Sequence, residues 1–332
     1  MRFAVIGVGS IGFTNVKALK SLEDVEIVAV ANRTVAHAKD LCTKVALNCP
    51  VYSDYRVMLD TEKPEAVLIE LYNDMHHTCF LECAKRGIHI LVDKPLANTY
   101  THCREMIEAV RKNGIRATVM HTQRYGSVLQ TAKAYITAHR EELGALLCVN
   151  DQMGSHYFHA ERPASHLDPV RSGGGIVFNY GVHHLDRVHW LMEQKTIHFQ
   201  AQYLVRKPGV NTYSSYVMMG TGDGGTPYTL VCNGYTGPWV NEILLTFANG
   251  LVRCQVMDSL PMEKGVYVGN TESGCLQKIP SVCIDGEGNH EMYRREMREA
   301  LDYVSGKTEE PPISLEWAAE MVRLCELGFQ KS

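Results

Sequence analysis

The stretch from Arg2 to Leu19, RFAVIGVGSIGFTNVKAL, decides how the rest of the chain is read. It opens on a short apolar run, Phe3 to Ile6, and passes through Gly7, Gly9 and Gly12 in G-x-G-x-x-G spacing. Val16 and Leu19 follow, spaced like one face of a helix. Strand, glycine turn and helix come in the order that a dinucleotide-binding turn requires. Gly7 lets the chain leave the strand in a tight turn, Gly9 lets the backbone approach a pyrophosphate, and Gly12 lets the helix pack close to the strand. The helix N-terminus adds unsatisfied N–H groups and a partial positive charge. Gly7, Gly9, Ser10, Ile11 and Gly12 are therefore the expected phosphate-binding residues.

Downstream, Val25 to Ala31 is a near-continuous apolar run, as in a parallel strand buried on both faces. It ends at Asn32, Arg33 and Thr34, twenty residues past Gly12. An acidic residue at this place binds a ribose 2′-hydroxyl, and an arginine suits a 2′-phosphate. Asn32 carries no repelling carboxylate, and Arg33 and Thr34 can donate, so the reading favours NADP over NAD. Strands are expected at Pro64 to Leu71, Ile88 to Val92 and Ala117 to His121, with helices between them. This βαβ alternation implies a parallel sheet with right-handed crossovers, and ligands sit beyond the carboxyl ends of such strands. Two further polar clusters fall there: Tyr72, Asn73 and His76, then Asp93 and Lys94 before Pro95. Pro95 restricts Lys94 to extended backbone and so holds its side chain.

The nucleotide domain is expected to end near residue 121, with a second domain over residues 122–332 whose last helices pack back on the first. From Ala145 the pattern changes to alternating strands, and Asn249-Gly250 between two of them is a hairpin signal. Such strands form an open, mostly antiparallel sheet with one face needing cover, which a second subunit can supply. The expected architecture is thus α/β: a Rossmann domain plus an α+β domain with a large open sheet. A length of 332 residues fits two cores. The net charge of −4 lacks the basic excess of a nucleic-acid binder. No apolar run reaches the ~20 residues that span a bilayer. The N-terminus enters a strand without the basic region of a signal peptide, and the eleven cysteines include no CxxC pair. The expectation is a cytoplasmic protein with reduced thiols, in which Cys79 and Cys83 are small core residues.

The densest polar stretch runs from Ser172 to Asp186, SGGGIVFNYGVHHLD. A helix from about Gly181 to Met192 would place Asn179, His183 and Asp186 together at i, i+4 and i+7. His183 and Asp186 lack a third ligand at useful spacing, so no metal is expected. Tyr157, Arg162, His184, Arg124 and Tyr125 are candidate contacts to substrate hydroxyls.

GVGSIG at Gly7–Gly12, Asn73 with His76, VDKPLA at Val92–Ala97 and SGGG followed by N-x-G-x-H-x-x-D from Ser172 to Asp186 together resemble the Gfo/Idh/MocA oxidoreductases. The resemblance covers essentially the whole chain. It implies NAD(P)-dependent oxidation or reduction of a sugar, polyol or similar alcohol, in dimers or tetramers built through the open sheet. It makes Lys94 and His183 the catalytic pair, with Asp93 in place of the usual glutamate. Asn179 stands where many members carry an aspartate, and an amide cannot ionise to help relay a proton. That departure keeps two alternatives in play: an NAD-dependent glycosidase or eliminase on the same scaffold, and a non-catalytic NAD(P) sensor.

Overall fold

The computed structural model describes residues 1–9, 11–159, 162, 164–205, 211–234, 239–258, 262–270, 272–282 and 289–329. The chain divides into two compact units, Met1–Thr122 with Gly288–Arg323, and Gln123–Glu287 with Leu324–Ser332.

In the first unit strands and helices alternate: β1 (Arg2–Ile6), α1 (Gly12–Lys20), β2 (Glu26–Ala31), α2 (Val35–Lys44), β3 (Val51–Tyr52), α3 (Tyr55–Glu62), β4 (Ala66–Ile69), α4 (Asn73–Lys85), β5 (His89–Asp93), α5 (Tyr100–Asn113) and β6 (Ala117–Met120). The strands are all parallel, in the order β3-β2-β1-β4-β5-β6. All four residues of β4 are buried, as continuous apolar sequence in a doubly covered sheet requires. Helix ends follow local chemistry. Thr99 accepts from the His102 N–H to start α5, and Gly114 ends it in the left-handed region. Chain order reverses between β1 and β4, so the crevice beyond these two strands is the place for a ligand.

The second unit contains α6 (Ser127–Ala138), α7 (Arg140–Leu143), β7 (Leu146–Gly154), α8 (Ala164–Leu167), α9 (Pro169–Ser172), α10 (Val182–Met192), β8 (Thr196–Leu204), β9 (Ser215–Gly222), β10 (Pro227–Asn233), β11 (Val240–Phe247), β12 (Gly250–Gln255), β13 (Gly265–Asn270) and β14 (Gln277–Ile279). The sheet order is β14-β13-β12-β11-β7-β10-β9-β8. Every pairing is antiparallel except β7 with β10. Ala248 and Asn249 form the hairpin loop between β11 and β12, where the sequence signals one. Alternation along β11 buries Asn241, Ile243, Leu245 and Phe247 on one side.

Two last helices follow, α11 (Asn289–Val304) and α12 (Leu315–Leu327). Helix α11 belongs to the first unit. Its Met297, Ala300, Leu301 and Val304 join Phe3, Val16 and Leu19 in one buried cluster.

The expected single helix face carrying Asn179, His183 and Asp186 does not form. Residues Val177–Gly181 make a π turn before α10. Its i→i+5 bonding adds a residue to the turn and shifts Asn179 out of phase with α10. Asp186 consequently turns into the core of the unit, while Asn179 stays half-buried.

Candidate active site

In the first unit the glycine turn leaves β1 as its spacing predicts. Gly7 sits at φ +94°, and its N–H donates to Ala31 O at 2.8 Å. A Cβ there would lie 2.2 Å from Glu70 O, so no other residue fits. A Cβ at Gly9 would meet Glu70 O at 3.8 Å, ordinary contact, so this protein leaves that backbone face open. Gly12 departs from expectation: its Cβ would also find ordinary contact, 3.6 Å from Glu70 Cβ, so packing against β4 does not demand glycine there. Ile11, the N-cap of α1, makes no side-chain cap bond, which leaves the first helical N–H groups for an anion. An open glycine backbone before an uncapped helix fits a dinucleotide pyrophosphate. Ser10 lies outside the described residues. The side chains of Ile11 and Tyr72, exposed at the ends of the neighbouring strands β1 and β4, offer apolar surface beside the turn.

Asn32 uses its amide to donate to Thr34 O at 2.8 Å, which holds the loop after β2 and leaves Arg33 exposed. Asn73 opens α4. Lys94 is half-buried just past the carboxyl end of β5, and the Lys94–Pro95 peptide is cis. His76, expected as a cofactor contact, is instead fully buried. Its Nδ1 lies 2.8 Å from Pro95 O and its Nε2 3.0 Å from Leu71 O. It ties the loop after β4 to the loop that carries Lys94.

Beneath this surface the expected Asp93 joins two carboxyls that sequence reasoning missed, Glu70 and Glu296. Glu70 is the penultimate residue of the PEAVLIEL run and reads there as one more strand residue. In the structure it is buried and accepts from Asn15 Nδ2 at 2.5 Å. Burial pushes its carboxyl well above the usual range, the nearby Asp93 adds to this, and the Asn15 amide opposes it. Asp93 is raised in the same direction, chiefly by burial, against the pull of Lys94 and His76. On α11, Glu296 accepts from Thr122 Oγ1 at 2.5 Å.

In the second unit His183 lies on the first turn of α10 and is 8 % exposed. A cluster gathers around Asn179. Its Nδ2 donates to Tyr157 Oη and to His166 Nδ1, each at 3.3 Å. An amide nitrogen only donates, so His166 Nδ1 is the acceptor. Arg162 Nε donates to Tyr157 O at 2.8 Å, Nη2 reaches Tyr180 Oη at 3.4 Å, and the guanidinium stacks on the Tyr157 ring at 4.1 Å. Burial of Tyr157 pushes its phenol up to about 12, so it stays protonated. Tyr157, Arg162 and Asn179 thus come together. His166 and Tyr180 were not singled out from sequence, though His166 lies in the loop 154–171, which is dense in histidine, tyrosine and arginine.

Three expected substrate contacts are buried instead. His184 is fully buried, with Nδ1 3.5 Å from Asp151, Nε2 3.3 Å from Met153 Sδ and its ring edge-on to Tyr216. Arg124 grips both Asp186 oxygens and lies over Trp190. Its Nε and Nη2 donate to that carboxylate. Tyr125 is also buried, in the short turn before α6.

No helix among the described residues is long and apolar enough to cross a membrane. Among the same residues no group of histidine, cysteine, aspartate and glutamate is arranged to hold a metal.

Comparison with known proteins agrees with this geometry. An oxidoreductase family with an NAD-binding Rossmann fold matches residues 1–121, and the GFO/IDH/MocA C-terminal domain matches residues 129–253. An inositol 2-dehydrogenase/D-chiro-inositol 3-dehydrogenase of Halalkalibacterium halodurans is 28% identical over 59% of this chain and 53% of its own. A 2,7-anhydro-N-acetylneuraminate hydratase of Mediterraneibacter gnavus is 25% identical over 57% of this chain and 49% of its own. The matched stretch spans about half the length of these relatives. An oxidoreductase from Agrobacterium radiobacter, solved with NAD+, L-tartaric acid and magnesium, shares the fold with a TM-score of 0.85. It is 15% identical and covers 99% of this chain and 95% of its own. With both of its domains matched in order, the chain belongs to the Gfo/Idh/MocA family of NAD-binding oxidoreductases.

Proposed function

We propose that this protein is an NAD(P)-dependent dehydrogenase or reductase acting on a hydroxyl or carbonyl carbon of a sugar, polyol or related carbohydrate. The observation that carries the reading is the open glycine backbone at Gly9 before the uncapped start of α1, with Lys94 held beyond β5 in the same unit. Gly7, Gly9, Ile11, Gly12, Tyr72 and Asn73 would hold the dinucleotide, with Ser10 in the same turn. Asn32, Arg33 and Thr34 would face its ribose end, and the exposed guanidinium of Arg33 favours a 2′-phosphate and hence NADP. The bound nicotinamide supplies hydride acceptance or donation. Lys94 hydrogen-bonds the reacting oxygen and stabilises developing alkoxide charge. His183 moves the hydroxyl proton, a role worth roughly 10²–10⁴-fold. Asn179 orients the substrate. The same reading carries a homodimer or homotetramer through the open sheet face, where Val217 and Val231, paired across β9 and β10, are exposed together with Met219.

A second reading has one observation behind it: a relative named as a hydratase, whose reaction has no net oxidation. It predicts dinucleotide that survives purification and substrate turnover without net change in reduced-nicotinamide absorbance.

The test is a screen of sugars, polyols and their acids with NADP and NAD in both directions, on wild type, Lys94→Ala and His183→Ala. Each variant is expected to lose at least about 10²-fold in kcat with cofactor affinity near wild type. Full turnover in either sinks the assignment. Running wild type and Arg33→Ala with both cofactors reads the contribution of Arg33, which is expected to be far larger for NADP than for NAD.

A further inference from the structure

We infer that Arg162 anchors a subsite for a carboxylate, so that the substrate is a polyhydroxylated acid. The inference rests on the reading above for which bond reacts, but not for what binds. Arg162 is half-buried and its plane is fixed on three sides, by Tyr157 O, by Tyr180 Oη and by the Tyr157 ring. Tyr157 is itself fully buried and Tyr180 packs edge-on against it, centroids 5.3 Å apart. The guanidinium therefore has little freedom to swing into solvent.

What it lacks among the described residues is a counter-charge. Every other described arginine between residues 123 and 287 faces a carboxylate: Arg124 with Asp186, Arg140 with Glu193, Arg171 with Asp168, Arg187 with Asp151 and Arg253 with Glu242. This includes Arg140, whose side chain is 60% exposed and needs a partner least. Arg162 faces none among the described residues, and its Nη1 makes no bond there. Stacking on an aromatic face and two hydrogen bonds offset part of the cost of drawing a cation out of water. They leave one edge of a rigid fork unspent, and that edge matches a carboxylate in geometry and charge.

The neighbours set the class of anion. His166 Nδ1 accepts from Asn179, so His166 carries no proton on that nitrogen and adds no imidazolium charge. Among the described residues the cluster offers a single positive charge, suited to a carboxylate and insufficient for a phosphate dianion. Tyr157 Oη and the Asn179 amide supply the mixed donors and acceptors that sugar hydroxyls need.

Calorimetric titration of the full chain tests this, with D-gluconate and D-glucuronate against D-glucose, myo-inositol and D-glucose 6-phosphate. An acid is expected to bind at least about tenfold more tightly than its neutral counterpart, and Arg162→Gln to weaken it by ~10–100-fold with a much smaller change for the neutral sugar. Arg162→Lys recovers part of the loss, and circular dichroism with dinucleotide affinity checks that both variants fold. Acids no tighter than neutral sugars, equal losses for both in Arg162→Gln, or tightest binding by the phosphate would each overturn the subsite. Formation of reduced nicotinamide is followed separately. An acid held by Arg162 but never oxidised leaves the subsite standing and removes the dehydrogenase reading. Neutral polyols oxidised with indifference to Arg162→Gln do the reverse.

Discussion

In the first unit the acids near the strand ends are buried Glu70 and Glu296 and half-buried Asp93, and desolvation pushes Glu70 and Asp93 toward their neutral forms. In the second unit the buried acids Asp151 and Asp186 sit in complete ion pairs. Arg187 is fully buried against Asp151 and also donates to Gln123 and Asn241, and Arg124 grips Asp186. A carboxyl that keeps its proton avoids the desolvation cost and still hydrogen-bonds. A buried ion pair holds only while both partners remain. One unit therefore adapts to a lost charge and the other does not, and each of the following substitutions probes that difference.

The largest effect is expected from Asp151→Ala. It strands the Arg187 guanidinium in the core and should cost ~3–5 kcal/mol, read by urea unfolding. Asp151→Leu combined with Arg187→Met should recover most of it, because well-packed apolar groups replace buried pairs at little cost. If Asp151→Ala loses under ~1 kcal/mol, the second unit tolerates a lone buried charge and the contrast fails.

This pair also marks the limit of what the chain states openly. The first unit was legible because each βαβ step is local: apolar runs such as Val25–Ala31 are long, glycines stand at the helix ends, and the Gly7 turn carries its own constraint. In the second unit the antiparallel strands and the Asn249-Gly250 hairpin were legible for the same reason. Its polar core was not, because Asp151, Arg187 and Asn241 meet only through tertiary packing. Arg124 and His184 read as site residues from their polarity, and nothing local announces that Asp186 and Asp151 lie against them. Asn179 was found, but its direction was not, since a π turn has no clear sequence signal. Glu70 was hidden for the opposite reason: one acid near the end of an apolar run looks like the edge of a strand.

The second contrast is in pH. Burial lowers His184 to about 3, Arg187 adds to the lowering and Asp151 opposes it, so the folded ring is neutral where the unfolded ring takes a proton at its ordinary 6.5. Between those values the unfolded state binds more protons, and stability falls as pH falls, by ~1.4 kcal/mol per unit or about 2 kcal/mol from pH 6.5 to 5. His184→Gln should flatten that slope in urea titrations of the second unit's transition. An unchanged slope would move the acid sensitivity to other groups.

Glu70 should respond with the opposite sign and a smaller amplitude. Its folded value is raised, so the folded state keeps a proton that the unfolded chain releases above the ordinary 4.5. The stability it contributes is complete below that value and is lost as pH rises through the folded one. Glu70→Gln keeps the shape and an oxygen to accept from Asn15, but cannot ionise. At pH 8 the variant should equal or exceed wild type in stability, with the difference vanishing in mild acid, where wild-type Glu70 is neutral in both states. The Gly7 turn should be undisturbed, because the atom that crowds it is the backbone oxygen of residue 70, which the substitution leaves in place. A variant less stable than wild type at pH 8 would mean that Glu70 works as a carboxylate. The first unit would then bury charge as the second does, with Lys94 and His76 the nearest groups able to balance the Glu70–Asp93 pair.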